Sequence, residues 1–577
     1  MQPRANFYQK SGATFAFNPW DLLALVIVLM IFTALGWAAT KMSHPFNLGD
    51  QIPISLGYSH LPYYALESVL RMLIALAVSI IVTFVVGALA AKSKHAERII
   101  IPCIDILQSV PVLGFLSITI SGFIALFPGS LLGPQFCTIF VLFTAQVWNM
   151  IFGFYQSLRT LPDDLIEAAR MFNLSPWQRF WRLEVPFAMP NLLWNMMVSM
   201  SQCWVPLTFS EAISVANQNI HLPGIGSYIF VAIQQANMHA IFAAIITMFI
   251  VIAFYDQLMF RPLIKWAEKF KFESLPDERP SRAWFTSLLQ RTHLSRHLGK
   301  LTAKISDRFI NPRWRKSGYQ EKAPSNNQWN KILLVLLYGS VLIGLGFGIF
   351  QLGDFVFANL GWVDIRHALL LALASGARVF LAVIISSIIW VPLGVMIGRH
   401  RTLAKLAQPV VQFCAAFPTN LLYPLAVLLI LRYNLDVNLW VTILIVIGAQ
   451  WYILFNVIAG TSTLPKEILY AAKIFNVKGW LWWRQVILPG IFPYYITGAI
   501  TAAGGAWNLT IIAELISWGS HTYKAFGIGA YITEYTNTGD FHRVALGIGI
   551  MCCFVIAFNW ILWRPMYNLA ERRFKIN

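Results

Sequence analysis

The sequence predicts an all-α polytopic membrane protein of about twelve spans, built as two parallel copies of a six-span unit. Three observations carry this prediction. The 577 residues are 57% hydrophobic and only 12% charged, whereas a soluble globular chain is nearer a quarter charged. Continuously apolar runs of roughly 20 residues recur, the length a helix needs to cross the hydrocarbon core; they lack the alternation of membrane-barrel strands. Finally, a polar stretch from Leu161 to Pro186 returns as Leu464 to Pro489 with no insertion or deletion, and a fixed-period repeat is the signature of a duplicated unit.

The apolar runs place spans at about 21–40, 67–91, 101–126, 135–157, 188–212 and 238–260 in the first half. The second half gives about 331–352, 366–397, 406–431, 438–460, 490–515 and 543–563. The first run, from Leu22 to about Ala39, is longer than a signal-peptide core and reads as an uncleaved span. Residues 1–263 and 331–577 therefore form two six-span domains. Between them, 264–330 is a polar linker rich in Lys and Arg, with a short amphipathic helix expected near Trp284–Leu301.

The net charge of +18 would suggest nucleic acid in a soluble protein. Here the basic residues sit in short loops at span ends, so they report orientation in the lipid bilayer and no nucleic-acid partner is expected. Lys92, Lys94 and Arg98 follow the second span, and Arg159, Arg170, Arg179 and Arg182 surround the first repeated stretch. The alternate loops 127–134 and 212–237 carry neither Lys nor Arg. Both termini and both repeated stretches are expected on the cytoplasmic side. The six cysteines lie in or beside apolar runs without histidine at metal-ligand spacing, so neither a metal site nor a cofactor is expected.

The repeat extends over most of each half. Trp148 and Trp451, Trp204 and Trp507, Glu211 and Glu514, and Arg261 and Arg564 are each 303 residues apart. Gly224-Ile225-Gly226 matches Gly527-Ile528-Gly529 at the same offset. Nearer the start the offset becomes 307, pairing Arg71 with Arg378 and Pro111 with Pro418. Six spans per copy leave both copies the same way up, a parallel duplication.

In the repeated stretch, Pro162 suits the first turn of a helix and Asp163 and Asp164 suit its positive end. The helix should run to about Phe172 and stop at Asn173, since Asn is second only to Gly in the left-handed conformation that ends helices. Asn476 should do the same in the second copy. A second short helix is expected from Ser175-Pro176 to just before Pro186. Two such loops in register point to a docking surface between the fourth and fifth spans.

These residues resemble the EAA loop of the inner-membrane subunits of binding-protein-dependent ABC importers. The first copy gives Glu167-Ala168-Ala169, then Asn173, then Leu183 and Val185-Pro186; the second gives Tyr470-Ala471-Ala472, Asn476, Val486 and Leu488-Pro489. Asn stands for the family's Gly in both copies, and Tyr470 replaces the Glu in the second. Asn173-Leu174-Ser175-Pro176-Trp177-Gln178, Ala506-Trp507 and Ala513-Glu514-Leu515 are similar to the nitrate/sulfonate/taurine branch. The resemblance covers both halves and omits the linker. It implies the type I ABC importer fold, a separate ATP-binding subunit in two copies gripped by the two loops, a periplasmic or extracellular substrate-binding protein, and a bacterial inner-membrane location. It also implies a small anion or a sulfonate- or nitrate-like solute as substrate. The chain has no G-x-x-x-x-G-K-[ST] phosphate loop of its own, so it is not expected to be an enzyme.

Candidate pathway residues are the polar or aromatic groups within spans: Gln202, Trp204, Glu211, Trp507, Asn508 and Glu514. Glu211 and Glu514 either line the outer mouth, pair with a polar group there, or stand solvated at the headgroups. Gln202, Gln450, Asn456 and Asn508 can bond between helices or to substrate. Arg71 and Arg378 either serve an anion path or snorkel to the interface. The rival reading is a twelve-span ion-coupled carrier of the major-facilitator kind, with the same parallel duplication and central loop. A doubled docking loop has no use in a carrier without a motor, and a membrane enzyme would need a reactive constellation that the sequence lacks.

Overall fold

The computed structural model describes residues 52–114, 116–215, 218–267, 328–433, 435–462, 464, 466–519 and 521–573, with a few further positions within 30–37 and 307–311. Most of the expected first span, and the expected linker helix at Trp284–Leu301, lie outside the described residues.

The first half runs through α1 (Leu61–Lys92), α2 (Lys94–Ser109), α3 (Leu116–Leu126), α4 (Leu132–Arg159), α5 (Asp163–Met171), α6 (Pro176–Arg179), α7 (Val185–Gln202) and α8 (Trp204–Glu211). It continues with β1 (Ala212–Val215), β2 (Gln218–His221), α9 (Ile225–Gln234), α10 (Met238–Tyr255) and α11 (Arg261–Ala267). The second half repeats the order: α12 (Gln328–Phe357), α13 (Trp362–Arg399), α14 (Arg401–Ala416), α15 (Tyr423–Tyr433), α16 (Val437–Ser462), α17 (Lys466–Ile474), α18 (Gly479–Trp482) and α19 (Leu488–Ala513). Then come β3 (Leu515–Trp518), β4 (His521–Lys524), α20 (Ile528–Thr538), α21 (Phe541–Phe558) and α22 (Arg564–Arg573). Among the described residues, seven helices are long and apolar enough to cross a membrane. The chain divides into two compact units, one holding Pro162–Pro190 and Tyr255–Gln320 with Met1–Trp37, the other holding the rest of both halves.

Two expectations need correction, and the all-α fold carries one addition. The third spans are not continuous. Each is an amphipathic helix, a break at proline and a short apolar helix, because the residue before proline is pushed out of the helical region. Val110 and Phe417 are both extended, with ψ of 127° and 126°. The fifth span of the first half is also broken, at Cys203, where its counterpart Leu488–Ala513 is unbroken. Pro206 lies three residues on and cannot donate back to Gln202, whereas its counterpart is Leu509. Lastly, the all-α scaffold carries two four-residue antiparallel hairpins, Ala212 paired with His221 and Leu515 with Lys524. Strands this short leave almost no alternating pattern to read.

Four five-residue π-helical turns interrupt the helices, at Phe180–Glu184, Asp256–Phe260, Trp483–Ile487 and Asn559–Trp563. Each ends two residues before a proline: Pro186, Pro262, Pro489 and Pro565. A proline inside a helix supplies no amide donor, and the wider turn lets the preceding amide reach five residues back, as Val185 does to Phe180 and Leu488 to Trp483. The second short helix of each repeated loop therefore does not stop before its proline. It passes through the π turn directly into α7 or α19.

Candidate functional site

The first repeated loop starts with Pro162 as N-cap, and Asp163 and Asp164 occupy the first turn of α5. The helix ends at a left-handed Asn173, φ 49°. Asn173 N–H donates to the Arg170 carbonyl at 2.9 Å and Leu174 N–H to the Ala169 carbonyl at 3.1 Å, the double bond of a Schellman stop. The second copy repeats it: Asn476 has φ 52°, and Asn476 and Val477 donate to Lys473 and Ala472. The Asn residues thus occupy the conformation expected from the sequence. In the first loop a capping box restarts the helix, with Gln178 N–H donating to Ser175 Oγ and Ser175 N–H to Gln178 Oε1. Gln178 also donates to Asn311 of the linker, at 2.8 Å.

Each reversal leaves a bulky apolar pair in the open. Met171 and Phe172 are 84% and 78% exposed; their counterparts Ile474 and Phe475 are 80% and 79% exposed. Of the paired alanines, Ala169 and Ala472 face inward, while Glu167, Tyr470 and Ala471 are exposed and Ala168 is half-buried. Pro186 and Pro489 stand just beyond the π turns. The second loop is held by Arg399, whose guanidinium lies 4.7 Å over the Trp482 ring.

A second duplicated feature narrows alternatives that the sequence left open. Glu211 and Glu514 are fully buried, not solvated at the headgroups. Arg71 and Arg378 do not snorkel; each donates to its Glu at 2.7 Å. Ser68 and Ser375 donate to the same carboxylate oxygens at 2.6 Å, and the Gly226 and Gly529 amides donate to the other oxygens at 2.7 Å. Each carboxylate therefore sits at the positive end of α9 or α20, a favourable place for a negative charge. The repeated Gly-Ile-Gly follows from this fit. A Cβ on Gly224 would come within 2.3 Å of the Glu211 carboxyl, and one on Gly226 within 2.2 Å of the Thr208 carbonyl oxygen. The outer contacts are partly shared: Arg71 donates to Gln135 and Arg378 to Asn438, 303 residues on, and Arg71 also donates to the Pro223 carbonyl. Glu67 places a second carboxylate 3.6 Å from Arg71, where the second half has Ala374.

The sequence was compared with known families. The profile of the binding-protein-dependent transport system inner membrane component matches residues 83–261 and again 390–575. The chain belongs to this family. It is the membrane-embedded permease component of an ABC importer with two permease domains in one chain, and the ion-coupled carrier reading is set aside. Among its relatives, the bicarbonate transport system permease protein CmpB of Synechococcus elongatus is 28% identical over 193 residues, 33% of this permease and 68% of the relative. The nitrate import permease protein NrtB of Leptolyngbya laminosa is 27% identical over 175 residues, 30% and 59% of the two chains. The glycine betaine transport system permease protein OpuAB of Bacillus subtilis is 26% identical over 213 residues, 36% and 69%.

The remaining candidate pathway residues separate in the permease. Trp204 and Trp507 are both buried, Trp507 in an edge contact with Phe558 of the same half. Gln202 accepts from Asn149 at 3.3 Å, Gln450 accepts from Trp390, and Asn456 donates to the Tyr452 carbonyl. Asn508 donates to the Gly504 carbonyl and leaves its Oδ1 buried without a partner. The sequence reading missed Gln108, Gln146 and Asn149. A single polar residue in an apolar run carries little signal until it is compared with its counterpart in the other half.

Proposed function

We propose that Asp163–Met171 and Lys466–Ile474, each with its exposed tip, are the docking elements for a separate ATP-hydrolysing subunit, present in two copies, one per loop. The duplicated exposure of Phe172 and Phe475 beside a left-handed Asn carries this reading. A large apolar side chain held rigidly in water twice over is the mark of an interaction surface. Glu167 adds a charged contact on the first loop that Tyr470 does not supply on the second. Residues 1–263 and 331–577 are the two permease domains and 264–330 is the tether between them. The Lys and Arg distribution supports cytoplasmic termini and loops in a bacterial plasma membrane, with a substrate-binding protein delivering solute on the opposite side. The names of the bicarbonate and nitrate relatives support a small oxyanion as substrate.

Burying one Phe contributes roughly 2–3 kcal/mol, so Phe172→Asp or Phe475→Asp should each weaken ATPase docking by about thirtyfold or more. Both variants should still insert in the membrane. Co-purification of the ATPase and ATP-driven uptake at wild-type levels in both would refute docking through these tips.

A further inference from the structure

The two hairpins stand at the seam between the halves. α19 has 26 residues, about 39 Å at 1.5 Å per residue and enough to cross a bilayer. The second repeated loop lies at its start and β3 at its end, so the second hairpin is on the side remote from that loop. β1 packs against both α9 and α20, and so does β3. Each hairpin is therefore carried by one half and seated on the other.

Within its own half each hairpin is held firmly at the root. The Glu211 carbonyl accepts from the Leu222 amide at 2.9 Å, closing the first hairpin, and from Ser227 Oγ at 2.6 Å. The Glu514 carbonyl accepts from the Ala525 amide at 2.9 Å. The carboxylates of the same two residues are those gripped by Arg, Ser and Gly, so each root is tied to α1 or α13.

The hydrogen bonds that cross the seam are of another kind. The Gly519 amide, in the turn of the second hairpin, donates to the Ile233 carbonyl of α9 at 3.1 Å, and that carbonyl already accepts from the Ala236 amide at 3.0 Å. Asn420 Nδ2 donates to Thr208 Oγ1 at 2.9 Å, and that hydroxyl is itself bonded to the Val205 carbonyl. Either crossing bond can break and leave its first-half partner still bonded. Ala236, beside the first of them, is left-handed at φ 50°, where the second half has Gly539. A left-handed residue with a Cβ is strained, and such strain gathers at switch points. Fixed roots and replaceable crossing bonds suit two bodies that separate as units.

We infer that the hairpins are the outer gate of the permease, closed in this structure, and that solute enters when the second hairpin lifts from α9 at Gly519 and Ala236. This rests on the reading that solute arrives on the side opposite the repeated loops.

A Cβ on Gly519 would stand 3.8 Å from the Ala236 Cβ, within the roughly 3.5–4.5 Å that a disulfide spans. The test is the double variant Ala236→Cys with Gly519→Cys, in the complete transporter with its ATPase and binding protein, in vesicles supplied with isotopically labelled nitrate and bicarbonate. Oxidation should cross-link the pair and abolish both uptake and the ATP hydrolysis that the binding protein stimulates; dithiothreitol should restore both. The two single variants, oxidised alike, should keep both activities, a control for strain at position 519 and for the native cysteines. Full cross-linking with undiminished hydrolysis and uptake overturns the gate, and so does failure of the pair to cross-link. Where the reduced double variant is itself inactive, the rate of cross-linking decides. It should differ between the nucleotide-free transporter and one holding ATP on a hydrolysis-deficient ATPase, and equal rates overturn the gate. A wild type that takes up neither anion, with hydrolysis still lost on cross-linking, overturns the oxyanion reading and leaves the gate standing. Wild-type uptake that ignores ATP overturns the motor-driven reading, while its loss on cross-linking still supports the gate.

Discussion

Glu211 and Glu514 make nearly the same contacts, yet they should not be equally replaceable. Removing one partner of a buried ion pair leaves an uncompensated charge and costs about 3–5 kcal/mol. For Arg378 the prediction is that full penalty on Glu514→Gln, because Ala374 offers no substitute carboxylate. Arg71 keeps Glu67 within 3.6 Å, so Glu211→Gln should be milder; melting curves of the two variants in the same detergent would check the order. The burial of these pairs was not legible from either residue alone, since a Glu at the end of an apolar run also reads as a headgroup residue. The usable signal was that Arg, Glu and Gly-Ile-Gly all recur together, which ties three distant positions into one contact. His221 makes a separate prediction at this scale. Desolvation lowers its pKa below the ordinary histidine value. The folded state therefore binds fewer protons than the unfolded one over the window below about pH 6.5. Its stability contribution is present above that window and is lost as the pH falls. The melting temperature of the wild type should drop more between neutral and mildly acidic pH than that of His221→Gln.

Among the elements, the loop helices were the most legible because their ends are set by local chemistry. Proline, two aspartates and a terminal Asn specify a start and a stop without reference to the rest of the molecule. A left-handed residue with a Cβ costs roughly 1–2 kcal/mol, a cost that Gly escapes and Asn partly offsets. Asn173→Gly and Asn476→Gly should therefore keep ATPase-coupled uptake, while Asn173→Val and Asn476→Val should reduce it without affecting insertion, as uptake and surface-expression assays would record. The π turns were not legible, although their prolines were. A proline in an apolar run announces a disturbance but not its form. Breaks result at Pro111 and Pro418, where the preceding residue is extended; at Pro186 and Pro489 the helix continues through a wider turn. The hairpins were missed because four residues per strand fall below what a periodicity argument resolves.

At the scale of the whole molecule, the duplication was readable because a constant offset survives divergence at most individual positions. One chain carries both repeated loops, so under the proposed docking a single permease should hold two ATPase subunits. Native mass spectrometry of the purified assembly should give one permease to two ATPases, and a two-to-two complex would argue against the fused arrangement supplying both loops. The fusion also bears on how such a channel can change over time. When identical subunits face each other, every substitution is imposed on both walls at once, and a polar lining on one side cannot arise without its mirror image. Here Gln146 and Ala449, or Gln202 and Gly505, are encoded separately, so one half can change its side chains while the other keeps its own.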